Sequence, residues 1–303
     1  KLILDVGGAY LNAKIDRDVY MWLDPAVVNI LIKAAPNEFE KYKDAKGRIL
    51  VKVTKALYGL VQSAKLWYEH LTSLLKKNGF TAYLMDARVW NKTVDGVQTT
   101  IVVYVDELLI SSKKKEDVLF IKDLLEKEFL EVKIKEGNDV TYLGMNLKTR
   151  NDGSIELSMV QYIKDILDKW PNQNLFLYGH PADDNLFYSD ESSSKLEENE
   201  SKVFHKVVAQ LLYLCKRARP DIGLAVHYLC TRVKGPTKND VMKLERILGY
   251  LNSTLHMTRI ISKDDKMNKI EAYIDAAFAA HQDGMGQSGG AIMMGSTLLE
   301  PIT

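Results

Sequence analysis

The stretch Thr99-Thr100-Ile101-Val102-Val103-Tyr104-Val105-Asp106-Glu107-Leu108-Leu109-Ile110-Ser111-Ser112 decides how this chain is read. Thr99 to Val105 are all β-branched or aromatic, and Leu108 to Ile110 resume the apolar run after an acidic pair, which is a hairpin signature. The expected turn is Asp106-Glu107, and its chemistry is wrong for one. Two-residue hairpin turns need positive φ at one or both central residues and favour Asn-Gly or Asp-Gly. Adjacent carboxylates also repel each other and gain nothing in an apolar hairpin unless a cation binds. The plain reading is a solvated acidic turn. A second apolar strand opening the chain, Lys1 to Leu4 running into Asp5, argues against it.

Asp5 is followed by Val6-Gly7-Gly8-Ala9-Tyr10-Leu11, and paired glycines after a strand let backbone and ligand approach closely, although an ordinary strand-end turn explains them too. Further strands are expected at Val19–Leu23, closed by Asp24-Pro25, and at Ile49–Val53. A short helix over Val27–Ala35 and a polar connection over Pro36–Gly47 lie between them. Ser63–Asn78 reads as a helix, capped by Ser63, with Trp67, Leu71, Leu74 and Leu75 on one face and Gly79 as its stop. Phe80–Trp90 and Gln98–Val105 bracket an Asp95-Gly96 turn, and Glu116–Phe129 is an amphipathic helix. Asp139–Leu147 reads as one strand with Gly144 marking a bulge or a close approach. Ser158–Trp170 reads as a helix with a Ser158-x-x-Gln161 capping box.

Periodicity fades over Pro171–Glu200, which reads as a linker. Helices follow over Val203–Arg217, Asp221–Val233 and Asp240–Ser253, then two strands, Ile270–Ile274 and Ser288–Met294. The fold class is therefore α+β. Over residues 1–147 the order strand, helix, hairpin, helix, strand fits a split βαβ antiparallel sheet with helices on one face. Such a sheet can set Asp5 and the acidic turn on neighbouring central strands.

Composition bounds what this site can serve. A chain of 303 residues, 46% hydrophobic and 27% charged, has room for two or more domains of ordinary globular character. It shows no apolar run of membrane-spanning length and no signal-peptide pattern. It opens on Lys1 and is strand-like at once, so a piece of a longer reading frame is expected. Cys215 and Cys230 sit in apolar, helix-like surroundings, and the six histidines lack ligand spacing, which argues for a reducing compartment and against disulfides or zinc. The net charge of +1 leaves any polyanion to local patches: Lys76-Lys77, Lys113–Lys115, or Lys206 with Lys216, Arg217 and Arg219. Each is equally read as a solvated face.

Asp5, Asp106 and Glu107 are the candidate ligands of a hard divalent cation. Magnesium takes one or two carboxylates and draws its other oxygens from water and phosphates. Two such ions about 4 Å apart stabilise the attacking and leaving oxygens of an in-line phosphoryl displacement.

Leu4–Tyr10, Ala56–Tyr68 (ALYGLVQSAKLWY) and Tyr104–Glu107 (YVDE) resemble the first three polymerase motifs of copia-type LTR-retrotransposon reverse transcriptases. Tyr142-Leu143-Gly144-Met145 resembles that family's primer-grip hairpin. Leu211–Leu214, Arg219–Ile222 and Arg246–Leu251 resemble its thumb-to-RNase H connection, and Tyr273–Ala279 its first RNase H strand. The resemblance implies a Pol polyprotein fragment that is an RNA-directed DNA polymerase. Residues 1–147 would be the palm with partial fingers, 148–200 thumb and linker, 201–268 helical connection, and 269–303 the start of an RNase H-like domain.

It further implies that Asp5, Asp106 and Glu107 hold Mg2+ or Mn2+, and that Tyr10 packs under the incoming sugar. Tyr58, Gly59 and Gln62 would line the nucleotide pocket, Gly144 and Met145 would hold the primer end, and Asp275 would be the first RNase H carboxylate. The implied partners are primed RNA or DNA template, deoxynucleoside triphosphates and the rest of Pol (upstream fingers and integrase, downstream RNase H), with no membrane. The implied setting is a cytoplasmic retrotransposon particle or the nucleus.

Three departures from the family pattern stand out. Glu107 replaces the second Asp of an Asp-Asp pair, finger residues upstream of Asp5 are absent, and the later RNase H carboxylates are absent. Glu107 favours a rival reading, a catalytically impaired relic that is at most a nucleic-acid-binding or interaction module. A sheet that reads RNA bases with surface aromatics is a third reading, opposed by carboxylates on its face.

Overall fold

The computed structural model describes residues 1–129, 131–190, 192–264, 268–282 and 284–302. The chain divides into two compact units, Lys1–Gly137 and Asn138–Thr303.

The first unit runs β1 (Leu2–Val6), α1 (Ala9–Asn12), β2 (Lys14–Leu23), α2 (Pro25–Ala34), α3 (Pro36–Phe39), β3 (Ile49–Lys55), α4 (Ser63–Lys77), β4 (Thr81–Tyr83), β5 (Asp86–Val94), β6 (Val97–Tyr104), β7 (Glu107–Ser111), α5 (Lys115–Glu128) and β8 (Val132–Glu136). Six strands form one sheet in the order β4-β5-β6-β7-β1-β8, all neighbours antiparallel, while β2 and β3 pair separately. Within it, β6-β7-β1-β8 with α4 and α5 is the expected split βαβ arrangement.

One face of this sheet makes the core. Leu2, Leu4 and Val6 of β1, Ile101 and Val103 of β6, and Leu108 and Ile110 of β7 meet Trp67, Leu71 and Leu75 of α4 and Val118, Ile121 and Leu125 of α5. The helical residues recur at three-and-four spacing and so share a face. Each fully buried aliphatic side chain stabilises the unit by about 1.5–3 kcal/mol relative to exposure. β1 is apolar on both faces, with Ile3 fully buried as well, as suits a central strand.

Several local expectations are corrected. The hairpin turns at Val105-Asp106, and Glu107 is already in β7, opposite Tyr104. The strand that closes the split βαβ unit is β8, not Asp139–Leu147. The alternating Val132-Lys133-Ile134-Lys135-Glu136 hid it, since lysines on an edge strand make it look like loop. Phe80–Trp90 breaks into β4 and β5, and the polar connection holds α3 and a short 3-10 turn. Asp24 caps α2 rather than merely closing a strand, accepting from the Ala26 N–H at 2.8 Å. Ser63 does not cap α4: it is the first helical residue, and its hydroxyl donates to the Leu57 carbonyl at 2.6 Å. The Asp95-Gly96 turn is present with φ of 50° and 72°, and Gly79 at φ 82° ends α4.

The second unit runs β9 (Asp139–Tyr142), β10 (Met145–Thr149), β11 (Ile155–Ser158), α6 (Val160–Lys169), α7 (Glu198–Arg217), α8 (Gly223–Arg232), α9 (Lys238–Ser253), β12 (Arg259–Ile261), β13 (Ile270–Ala277), β14 (Gln287–Met294) and β15 (Thr297–Ile302). The single bulged strand expected at Asp139–Leu147 is instead the hairpin β9–β10, turning at Leu143-Gly144 with φ of 49° and 75°. The Ser158 capping box is absent, because α6 starts at Val160 with no side-chain cap.

Sheets β12-β11-β10-β9 and β13-β14-β15 flank the three longer helices in sequence. Phe204, Leu211 and Leu214 of α7, Val226 and Leu229 of α8, and Leu244, Ile247 and Leu251 of α9 are fully or almost fully buried. The described residues of 171–197 hold no helix or strand of their own, but they are fastened to α9. Ser253 donates to the Tyr178 carbonyl at 2.6 Å, and the Lys238 N–H donates to the Ser194 carbonyl at 3.0 Å.

Candidate active site

Side chains alternate across a strand, so Asp5 points away from the helix-covered face that Leu4 and Val6 occupy. The register sets Asp5 opposite Glu107 on one side and Lys133 on the other. Glu107 in turn faces Tyr104. Two acidic residues and a tyrosine thus gather at the end of β1 where the chain turns into Gly7-Gly8.

Asp106 is placed by its backbone. The Val6 N–H donates to the Asp106 carbonyl at 2.9 Å, the Gly7 N–H to the Glu131 carbonyl at 2.8 Å, and the Trp67 indole N–H to the Val105 carbonyl at 2.6 Å. Val105 stands at φ 55°, a left-handed conformation that costs a β-branched residue about 1–3 kcal/mol. Two hydrogen bonds, from Val6 and from Trp67, hold that turn, so Asp106 sits beside Asp5 at a fixed place. The strain is stored where the chemistry is expected.

Gly8, at φ 56°, starts the one-turn helix α1, which carries Tyr10. The Tyr10 and Tyr58 rings lie 4.5 Å apart, tilted by 35°. The Tyr58 phenol ionises above its ordinary value, first through partial burial, then through the negative charge of Asp106, then through Tyr10. This ties Tyr58 to the carboxylate end of the sheet. Gly59, at φ 96°, has no atom within 4 Å of where a Cβ would stand, and Gln62 occupies the start of α4 without capping it. A cleft of 270 Å³ beside them is bordered by Tyr10, Trp67, Tyr68, Arg88 and Tyr104.

The three carboxylates are not equivalent. Lys135 Nζ reaches across β1 to within 3.8 Å of Glu107 Oε1, and the Glu107 side chain is 19% exposed. Among the described residues no three His, Cys, Asp or Glu side chains are grouped to hold a metal ion. Asp5 and Asp106 alone still fit magnesium, which accepts one or two carboxylates and fills its shell from water and phosphate. Their oxygen-only donor set suits that hard ion, while the space beside Gly7 is taken by the Glu131 side chain.

Gly144, Met145 and Asp275 lie in the second unit. The Tyr213 hydroxyl of α7 donates to the Leu143 carbonyl at 2.8 Å and so ties down the β9–β10 turn. Asp275 is exposed on β13, opposite Gly289. Sequence reasoning missed Trp67 as a support of the turn and Lys135 as the counter-ion of Glu107. The alternation of Val132 to Glu136 was the signal that could have found the second.

Residues 2–181 match the family model described as reverse transcriptase (RNA-dependent DNA polymerase). A Saccharomyces cerevisiae protein named for transposon Ty5-1 is 25% identical over 291 residues, covering 96% of this chain and 88% of that protein. The retrovirus-related Pol polyprotein from transposon RE1 of Arabidopsis thaliana is 28% identical over 96% of the chain. The counterpart from transposon TNT 1-94 of Nicotiana tabacum is 27% identical over 95% of it. The chain spans 18% and 21% of the length of those two polyproteins. The copia-type resemblance read from the motifs is borne out.

Proposed function

Because the chain belongs to the reverse transcriptase (RNA-dependent DNA polymerase) family, we propose that its first unit is the catalytic palm, adding deoxynucleotides to a primer 3′-OH on an RNA or DNA template. The observation that carries this is the register setting Asp5 beside the Val105-Asp106 turn and opposite Glu107. In this reading the palm and partial fingers span residues 1–147, the thumb and linker 148–200, the connection 201–268, and the start of an RNase H-like domain 269–303.

Asp5 and Asp106 would hold Mg2+ or Mn2+. A divalent cation there supplies charge stabilisation for the attacking and leaving oxygens of an in-line displacement. Tyr10, backed by Tyr58, limits the space under the incoming sugar, while Gly59 and Gln62 border the nucleotide. Gly144 and Met145 support the primer end on a turn secured by Tyr213. Glu107 is the weak point. It carries one methylene more than Asp and is paired with Lys135, and misplacement near 1 Å costs about 10²-fold in a positioned reaction.

Magnesium-dependent primer extension on an RNA template tests the reading. Glu107→Asp is expected to extend more strongly than the unaltered chain, and Asp106→Ala not at all. No extension from the Glu107→Asp protein would overturn the polymerase reading. The Glu107–Lys135 pair also favours a second reading, a fold retained only for binding nucleic acid. Equal primer–template binding by all three proteins without extension would support that one.

A further inference from the structure

The second unit holds a pocket of 270 Å³ that the polymerase reading does not use. Asn239, Met242, Lys243 and Arg246 line it from α9, at the three-and-four spacing that puts them on one helix face. The opposite wall is the coil carrying Tyr178, Asp183 and Tyr188.

Its chemistry is asymmetric along the helix. Arg246 forms an ion pair with Asp183 at 3.2 Å and stacks 4.5 Å from the Tyr178 ring centroid. Its Nε is buried and lacks a hydrogen-bond partner. Lys243 donates to the Tyr188 carbonyl and to the Tyr228 hydroxyl, which leaves one of its three protons for a ligand. Burial lowers the Lys243 pKa, chiefly by desolvating the ammonium, a cost that an adjacent anion would offset. Arg246, Lys243 and nearby Arg232 stand against the carboxylates of Asp183 and Asp240, which leaves a single positive charge over.

At the other end, Asn239 lines the pocket with its Oδ1 sealed from solvent. The two ends lie seven residues apart, about 10 Å along the helix. Between them stand Met242 from α9 and Tyr188 from the coil, which are 61% and 53% exposed.

We infer that this pocket binds one nucleotide: its phosphate on Arg246 and Lys243 and its base against Tyr188 and Met242. Phosphate suits the arginine fork, and base stacking on aromatic surfaces accepts any sequence. A bare phosphate leaves the Tyr188 and Met242 surfaces uncovered, and an uncharged nucleoside leaves the cations unmet. The choice of a nucleotide over another aromatic phosphate rests on the polymerase reading, whereas the pocket does not.

The test is titration of the full chain with dAMP, deoxyadenosine and inorganic phosphate in a chelator, so that no divalent-cation site contributes. Saturable dAMP binding is expected, at least tenfold tighter than either fragment. Lys243→Gln and the exposed Met242→Glu should each weaken it at least tenfold. Absence of saturable dAMP binding, equal binding of phosphate alone, or unchanged binding by Met242→Glu would overturn the inference. Primer extension run in parallel separates the two readings, because its loss with dAMP binding intact removes only the polymerase one.

Discussion

Val105 shows why the acidic pair was legible as a candidate site but not as a turn. A β-branched residue is a poor choice for positive φ, so the sequence favours placing the turn one residue later. The structure accepts the strain because Trp67 and Val6 grip the peptides on either side, contacts 38 and about a hundred residues away in the chain. Asp5 and Asp106 were readable because a carboxylate closing an apolar strand is locally out of place. Lys135 was not, since its partner lies two strands over. Trp67→Phe removes the indole donor and leaves the Val105 carbonyl unmet, so a loss of about 1–3 kcal/mol is expected in urea unfolding, with primer extension falling further than stability. Tyr58 gives a pH test. Its raised pKa means the folded state holds the phenolic proton more tightly than the unfolded chain does. That stability is present below the unfolded value and lost as pH rises through the folded one. Asp106→Asn should lower the Tyr58 midpoint, read as the difference in alkaline titration between each protein and its Tyr58→Phe counterpart. An unchanged midpoint would show that Asp106 does not act on Tyr58.

The helices were the most legible elements. Three-and-four spacing placed α4, α5, α7 and α9 within a few residues, because buried faces impose that period whatever the partner. The caps were not, since Ser63 spends its hydroxyl on the Leu57 carbonyl and α6 begins without a side-chain cap. The coil over 171–197 reads as linker because many of its contacts are to residues far along the chain, such as Ser253 and Gln282, and that same coil makes one wall of the nucleotide pocket. Gly249 marks how closely it approaches. A Cβ there would overlap the Phe176 carbonyl oxygen, and backbone cannot step aside as a flexible side chain can. Gly249→Ala should therefore destabilise the second unit by about 1–3 kcal/mol, although alanine is the better helix former. A thermal melt unchanged or raised by this substitution would show that coil and helix are not in contact.

Two units with separate cores should not unfold as one. In single-tryptophan variants, Gly249→Ala is expected to lower the transition reported by Trp170 in the second unit and leave that reported by Trp67 in the first unchanged. A single transition that shifts as a whole would contradict this. The strand and helix order sufficed for the α+β class and the split βαβ topology, because pairing rules leave few alternatives. It did not locate the division after Gly137, since the strand before it was hidden and the strand after it looked like its replacement. One feature of the first unit bears on how the molecule comes into being. β1 is made first, yet its two neighbours, β7 and β8, are made more than a hundred residues later. At ribosomal speeds Leu2, Ile3 and Leu4 wait on the order of ten seconds for the partners that bury them. Contacts so distant in sequence are slow to form, and an unpaired apolar strand recruits other chains meanwhile. Newly made chains should thus need a chaperone for longer than the finished protein's stability would suggest.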